Sequence, residues 1–140
     1  MYLELPAPLF TISMGDIPRN SFQKFFDTLS PTFGHMISLG QSNTIVSCPS
    51  LTTHSELNEQ ALSEAGMSPT TIRFAVGDED PSDLIRHLVC ASRATIDHDV
   101  PGFTDGFMSE SDAKTLIRDV YVKTHEAHVN AQLEQGASWA

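Results

Sequence analysis

Thr70-Thr71-Ile72-Arg73-Phe74-Ala75-Val76-Gly77-Asp78-Glu79-Asp80-Pro81-Ser82-Asp83 changes character halfway along. Its first part, Thr70 to Val76, is rich in β-branched residues and reads as a strand. Its last part opens a helix: Asp80 is a cap residue, Pro81 takes the first helical position, and Asp83 is an acid in the first turn, where the helix dipole favours it. Leu84, Ile85, Leu88 and Val89 follow at helical spacing and are expected on the buried face. A strand that hands over directly to a helix makes the chain mixed α and β.

Working toward the N-terminus, Asn58 to Ala65 reads as a short helix closed by Gly66 at its C′ position. Ser50 to Glu56 is a hydroxyl-rich loop. Thr44 to Cys48 is a strand stopped by Pro49, and Phe33 to Leu39 is another stopped by Gly40; the short polar connection makes them neighbours. Phe22, Phe25, Phe26 and Leu29 fall at i, i+3, i+4 and i+7 on a helix that Asn20 or Ser21 would cap. Leu9 to Met14 alternates like a half-buried strand and ends at Gly15-Asp16-Ile17-Pro18. Toward the C-terminus, Thr95 to Met108 is a looser segment, after which Ser109 and Asp112 resemble a capping box. Ala113, Leu116, Ile117, Val120, Thr124 and Ala127 then make the stripe of a tail helix that needs something to cover. The order predicts an α+β fold: a small, largely antiparallel sheet with helices packed on one face, plus a C-terminal tail helix.

At 140 residues and 40% hydrophobic content, one core is expected. The formal charge of -10 would repel nucleic-acid phosphates, so no nucleic-acid partner is expected. No stretch reaches the ~20 apolar residues that span a bilayer, and the start lacks the marks of a signal peptide; the expectation is a cytoplasmic protein with no membrane partner. Two cysteines, Cys48 and Cys90, are too few for a disulfide framework.

Arg73, inside a strand of a chain poor in basic residues, has two readings. It pairs with a nearby acid such as Asp78 or Glu79, or it binds a carboxylate ligand through its planar fork. Ser38-Leu39-Gly40 puts a hydroxyl at a strand end but lacks the setting of a nucleophile elbow. Thr52-Thr53-His54-Ser55 gathers donors and acceptors in one loop, yet neighbours in sequence seldom reach triad geometry. His125 and His128 stand at i and i+3, not the i and i+4 of a helical zinc signature; with only Asp97-His98-Asp99 as a further cluster, no metal site is expected. No Gly-rich phosphate loop is present.

Read together, Ser38-Leu39-Gly40, Cys48-Pro49-Ser50-Leu51-Thr52-Thr53-His54-Ser55-Glu56-Leu57, Gly66-Met67-Ser68-Pro69, Ile72 to Asp80 and Asp83-Leu84-Ile85 resemble the C-terminal domain of the Cys/Met-metabolism pyridoxal-phosphate (PLP) enzymes. That family includes cystathionine γ-synthase, cystathionine lyases, methionine γ-lyase and O-acetylhomoserine sulfhydrylase. The resemblance implies the small C-terminal domain of a fold-type I PLP enzyme. It implies Arg73 as the ligand of the substrate α-carboxylate, Ser38 beside the cofactor–substrate adduct, Thr53 shaping the pocket and His54 structural. Departures are Ala75 in place of the family's serine and Gln41-Ser42-Asn43 after Gly40. Ile37 before Ser38 and the Thr52–Leu57 stretch lean toward the sulfhydrylases or methionine γ-lyase. PLP chemistry needs a Schiff-base lysine and an acid at the pyridine nitrogen. The only lysines, Lys24, Lys114 and Lys123, lie on predicted helices outside the family setting. The resemblance therefore implies a substrate-side domain over residues 1–92, with 93–140 as linker and tail helix, no catalytic residue in the chain and no PLP bound by it alone. Its partners would be the missing N-terminal PLP-binding domain and a sulfur amino-acid substrate, in a homo-oligomer as is common in the family. A free-standing binding or oligomerisation module that kept the fold is the alternative.

Overall fold

The computed structural model describes residues 8–52, 55–56 and 58–136. They form two units, Pro8–Phe107 and a second that holds the C-terminal helix. The first contains strand β1 (Leu9–Ser13), helix α1 (Arg19–Thr28), strands β2 (Gly34–His35) and β3 (Ile45–Ser47), helix α2 (Glu59–Glu64), strand β4 (Thr71–Ala75) and helix α3 (Pro81–Asp99). The sheet order is β1-β4-β3-β2. β4 is antiparallel to both β1 and β3, and β2 runs parallel to β3. A small, largely antiparallel sheet packed by helices is the expected fold.

Alternation along β4 sends Ile72 and Phe74 to one face and Thr71, Arg73 and Ala75 to the other. Ile72 and Phe74 join Val46 of β3, Phe22, Phe25, Phe26 and Leu29 from α1 and its C-cap, and Leu84, Ala91 and Ile96 of α3 in one buried cluster. The aromatic stripe read from spacing is thus the core. Phe33 meets Phe74 edge to face at 6.0 Å, an arrangement that suits the ring quadrupoles.

Ends of helices follow local chemistry. Asp80 accepts a hydrogen bond from the Ser82 N–H at 2.7 Å, with Pro81 at the first position and Asp83 in the first turn. Asn58 accepts from the Ala61 N–H at 2.9 Å. Gly66, at φ +71°, closes α2: its N–H donates to Ser63 O and the Met67 N–H to Leu62 O, the paired bonds of a Schellman motif.

Five expectations need correction. Helix α1 begins at Arg19 with no side-chain cap; Ser21 is buried and donates instead to Asp99 of α3, so its hydroxyl joins two helices instead of capping one. β1 is exposed along its length, because it is an edge strand with a neighbour on one side only. The expected strand from Phe33 to Leu39 forms only at Gly34–His35, its single partner β3 being three residues long. Ile85 is exposed at 38%. Finally, the segment from Thr95 is helical through Asp99. There the buried Ile96 extends the apolar face, Thr95 returns its hydroxyl to Ala91 O at 2.7 Å, and the acids find donors on other segments.

In the second unit, helix α4 (Glu110–Gly136) starts at Ser109, whose Oγ accepts from the Asp112 N–H at 3.1 Å and donates to the Asp112 carboxylate at 2.7 Å. This is the capping residue expected, with the Asp side chain turned to the hydroxyl.

Candidate substrate carboxylate site

Arg73 stands at the centre of the sheet, between Thr11 of β1 and Ser47 of β3, on the face away from α1 and α3. It is half-buried, and its Nη2 donates to the carbonyl of Ile37 at 2.9 Å. Neither acid considered as an ion-pair partner reaches it. Glu79 is turned to Thr44, accepting from its N–H and from its Oγ1, each at 2.7 Å. Asp78 is exposed and is held through its backbone N–H, which donates to Ser42 O at 2.9 Å. Among the described residues Arg73 forms no ion pair, so most of its five N–H donors have no protein acceptor.

The loop beside Arg73 is fixed from below. Thr44, fully buried, gives its hydroxyl proton to Glu79 and accepts the Gly77 N–H at 2.9 Å. Gly77 is required by this closeness: a Cβ there would lie 2.2 Å from Ser42 O. Burial alone would raise the Glu79 carboxyl, but the hydrogen bonds from Thr44 and from its own backbone outweigh it and hold the group below the ordinary glutamate range. The turn from Gly77 to Glu79 thereby clamps residues 42–44 and with them the end of the Met36–Gly40 loop.

In that loop Ser38 directly follows the residue whose carbonyl the guanidinium binds. Ser38 is exposed, and its neighbours Met36, Ile37 and Leu39 are 47%, 59% and 51% exposed. Thr53 and His54 lie outside the described residues. Just before them, Thr52 is anchored by donating to Cys48 O at 2.8 Å. A cleft of about 400 Å³ runs alongside, lined by Phe26, His35, Met36, Ile37, Val46, Ser47 and Thr52. The link between Ser38 and Arg73 is thus one backbone carbonyl, that of Ile37, which also lines the apolar cleft.

Sequence reasoning missed the Thr44–Glu79 clamp. Its signal was present: a glycine followed two residues later by an acid, opposite a strand that begins with threonine. The Ile37 carbonyl is a backbone group and leaves no side-chain signal. Elsewhere the acids serve as hydrogen-bond acceptors. Thr104 donates through Oγ1 and N–H to Asp97, and Ser21 donates to Asp99, which also meets His98 Nδ1 at 2.7 Å; these donors lower both carboxyl pKa values. Among the described residues no group of three His, Cys, Asp or Glu side chains converges as a metal site. Nor is any described helix long and apolar enough to cross a membrane.

Comparison with known proteins gives the family. The family model for the Cys/Met metabolism PLP-dependent enzyme matches residues 7–92. O-acetyl-L-homoserine sulfhydrylase 1 of Thermus thermophilus is 38% identical over 54 residues, 39% of this chain and 13% of that protein. O-acetyl-L-homoserine sulfhydrylase of Corynebacterium glutamicum is 34% identical over 64 residues, 46% of this chain and 14% of that protein. A crystal structure of an O-acetylhomoserine (thiol)-lyase from Campylobacter jejuni, containing a pyridoxyl-lysine monophosphate, aligns with a TM-score of 0.52 at 30% identity over 61% of this chain and 20% of that one. The chain belongs to the Cys/Met-metabolism PLP-dependent enzyme family. It spans about 13–14% of the length of these curated relatives.

Proposed function

We propose that this chain supplies the substrate-carboxylate side of a PLP-dependent enzyme that eliminates or replaces a β- or γ-substituent of a sulfur amino acid, sulfhydrylase- or lyase-like. The observation that carries the reading is Arg73: a half-buried guanidinium with no acid partner among the described residues, bound to the carbonyl of Ile37, which precedes Ser38 in sequence and lines an apolar cleft. A carboxylate answers it chemically, since two parallel N–H···O bonds match the fork. Ser38 then flanks the bound amino acid, Thr53 shapes the pocket, and the apolar wall at Ile37 favours an uncharged thioether or acyl side chain over a second charged group.

The residues present do not fit a PLP site. Lys24 neighbours Asp99, Lys114 pairs with Glu110 at 2.8 Å, and Lys123 lies on α4. None of the three stands in the setting of a Schiff-base lysine. The lysine and the acid for the pyridine nitrogen are accordingly assigned to a PLP-binding domain outside this chain, which would cover the exposed Met36, Ile37 and Leu39. Residues 1–92 are the substrate-side domain in this reading, and 93–140 the linker and tail helix. Two free cysteines, one of them exposed, suit a cytoplasmic setting.

The test is a titration of O-acetylhomoserine and of methionine against wild type and Arg73→Ala, followed by amide chemical shifts. Saturable shifts around Ser38 in wild type, lost in Arg73→Ala and absent with methionine methyl ester, are expected. Equal, negligible binding by wild type and variant would overturn the assignment.

A further inference from the structure

The two edges of the sheet differ. β2 is two residues long and offers little to a passing strand, whereas β1 offers five. The Met14 N–H donates to Thr70 O and the Val76 N–H to Pro8 O, which sets the parity of the β1–β4 ladder: the even-numbered residues of β1 point their backbone groups at β4. The N–H and C=O groups of Leu9, Thr11 and Ser13 therefore face outward, and among the described residues none of them has a partner. An uncovered row of this kind is a template for another strand, and proteins usually blunt it with charge, proline or a bulge. Leu9–Ser13 contains no charge and no proline, and its register with β4 is unbroken.

A groove of about 310 Å³ lies along this edge on the helix face of the sheet. Phe10, Ile12, Phe74, Leu84, Ile85 and Leu88 are among its walls. Phe10 is 46% exposed, Ile12 38% and Ile85 38%. A strand added here would have to place apolar side chains at alternate positions over the groove and short or polar ones on the opposite face. β1 itself has that pattern, with Phe10 and Ile12 on one face and Thr11 and Ser13 on the other.

We infer that β1 is a self-association edge: two copies of this chain pair antiparallel through β1 about a two-fold axis at Thr11, making one continuous sheet. In this register Thr11 lies opposite Thr11 of the second copy and Leu9 opposite Ser13, so every outward N–H and C=O finds an acceptor or donor. Phe10 of one copy falls opposite Ile12 of the other, an aromatic and β-branched cross-strand pair of the favourable kind. The two apolar grooves become contiguous across the axis. Charge selects the same occupant: from Leu5 to Gly15 the sequence is uncharged in a molecule of formal charge -10, so this strip brings no like charges together when two copies meet. The contact is isologous and closes at the dimer.

Sedimentation velocity on the full chain, over micromolar to millimolar concentration, tests it. Wild type is expected to reach twice the 15.3 kDa chain mass, and Thr11→Pro to stay at the chain mass with unchanged circular dichroism. Proline at 11 removes only an outward donor and leaves the β1–β4 ladder intact. Should Thr11→Pro lose its fold, Thr11→Lys replaces it, setting like charges opposite one another across the axis. Thr11→Cys in a Cys90→Ser background is expected to form a disulfide-linked dimer on mild oxidation. A wild type that stays monomeric overturns the inference. So does a dimer that survives Thr11→Pro or Thr11→Lys in folded protein, which would place the contact elsewhere, for instance on α4.

Discussion

The two faces of the sheet are held by different forces. On the helix face, Ile72, Phe74 and Val46 meet the aromatic stripe of α1 and the apolar stripe of α3, and the contacts are rings and methyl groups. On the other face the attachments are directional. Ser13 and Ser68 hydroxyls lie 2.7 Å apart, Thr71 Oγ1 accepts the Ser68 N–H at 2.8 Å, and Arg73 holds the Ile37 carbonyl. Beyond the sheet, Glu79 and Thr44 fix the turn that follows the loop carrying Ser38. Packing is non-directional and resists loss of volume; hydrogen bonds cost little volume but fix orientation. The candidate site lies on the second face, where a loop and a guanidinium are oriented without being sealed in.

The largest effect should come from breaking the first face. Phe22 is 1% exposed in the middle of the ring cluster, so Phe22→Ala removes both transfer energy and close contacts. A loss of about 3–5 kcal/mol is expected, read as a fall in urea midpoint at an unchanged m value. A loss below about 1 kcal/mol would mean that the ring cluster is not the core.

Among the directional contacts, Thr44→Val is the informative change. It keeps the volume of a fully buried side chain but removes the hydroxyl that serves Glu79 and Gly77. About 1–3 kcal/mol should be lost through groups left unsatisfied, less than for Phe22→Ala. Local amide shifts should move from Ser38 to Ser42 and leave α1 untouched.

A third effect is read on acidification. Glu79, Asp97 and Asp99 all have carboxyl pKa values lowered in the folded protein. A lowered folded pKa means that the unfolded chain binds protons first, so this stability is fully present above the unfolded values and is lost as pH falls through the folded ones. The urea midpoint should be level from about pH 7 to 5 and fall below about pH 4.5. Because relief of the -10 charge on acidification is common to wild type and single-site variants, the difference between them is the clean quantity. In Thr44→Val the hydroxyl's share of the Glu79 shift is lost while the backbone N–H bonds remain, so the acid-side slope should be somewhat shallower than wild type; an equal slope would remove the Thr44 hydroxyl from the account.

These contrasts explain what could be read from residues alone. The helix face was legible because burial imposes period: Phe22, Phe25, Phe26 and Leu29 can share a surface only on a helix, and all four are buried. The caps Asp80 and Ser109 were legible because their partners are two or three residues away. The bonds from Ser21 to Asp99, Thr44 to Glu79 and Arg73 to Ile37 join residues 78, 35 and 36 positions apart, and no local pattern marks them. Edge exposure of β1 was illegible for the same reason, since strand order is a property of the whole sheet. Ser38 and Arg73 were singled out as candidates through the ordered family motifs, which hold long-range geometry that periodicity lacks.

The smallest expected change in stability is at the residue on which the proposed function rests. Arg73→Met keeps a flexible apolar stem of similar reach and removes the guanidinium. Among the described residues the side chain makes one protein hydrogen bond, to a loop carbonyl that water can serve, and it has no acid partner whose charge would be stranded. A change of about 0.5 kcal/mol or less in unfolding free energy follows. A core role would give several times more, and a structural ion pair would leave an uncompensated acid and make the change strongly pH-dependent. If Arg73→Met is neutral in urea yet loses carboxylate-dependent shifts at Ser38, the guanidinium is present for a ligand and not for the fold. If instead it destabilises like Thr44→Val, the hydrogen bond to Ile37 is part of the scaffold, and the carboxylate must be sought elsewhere.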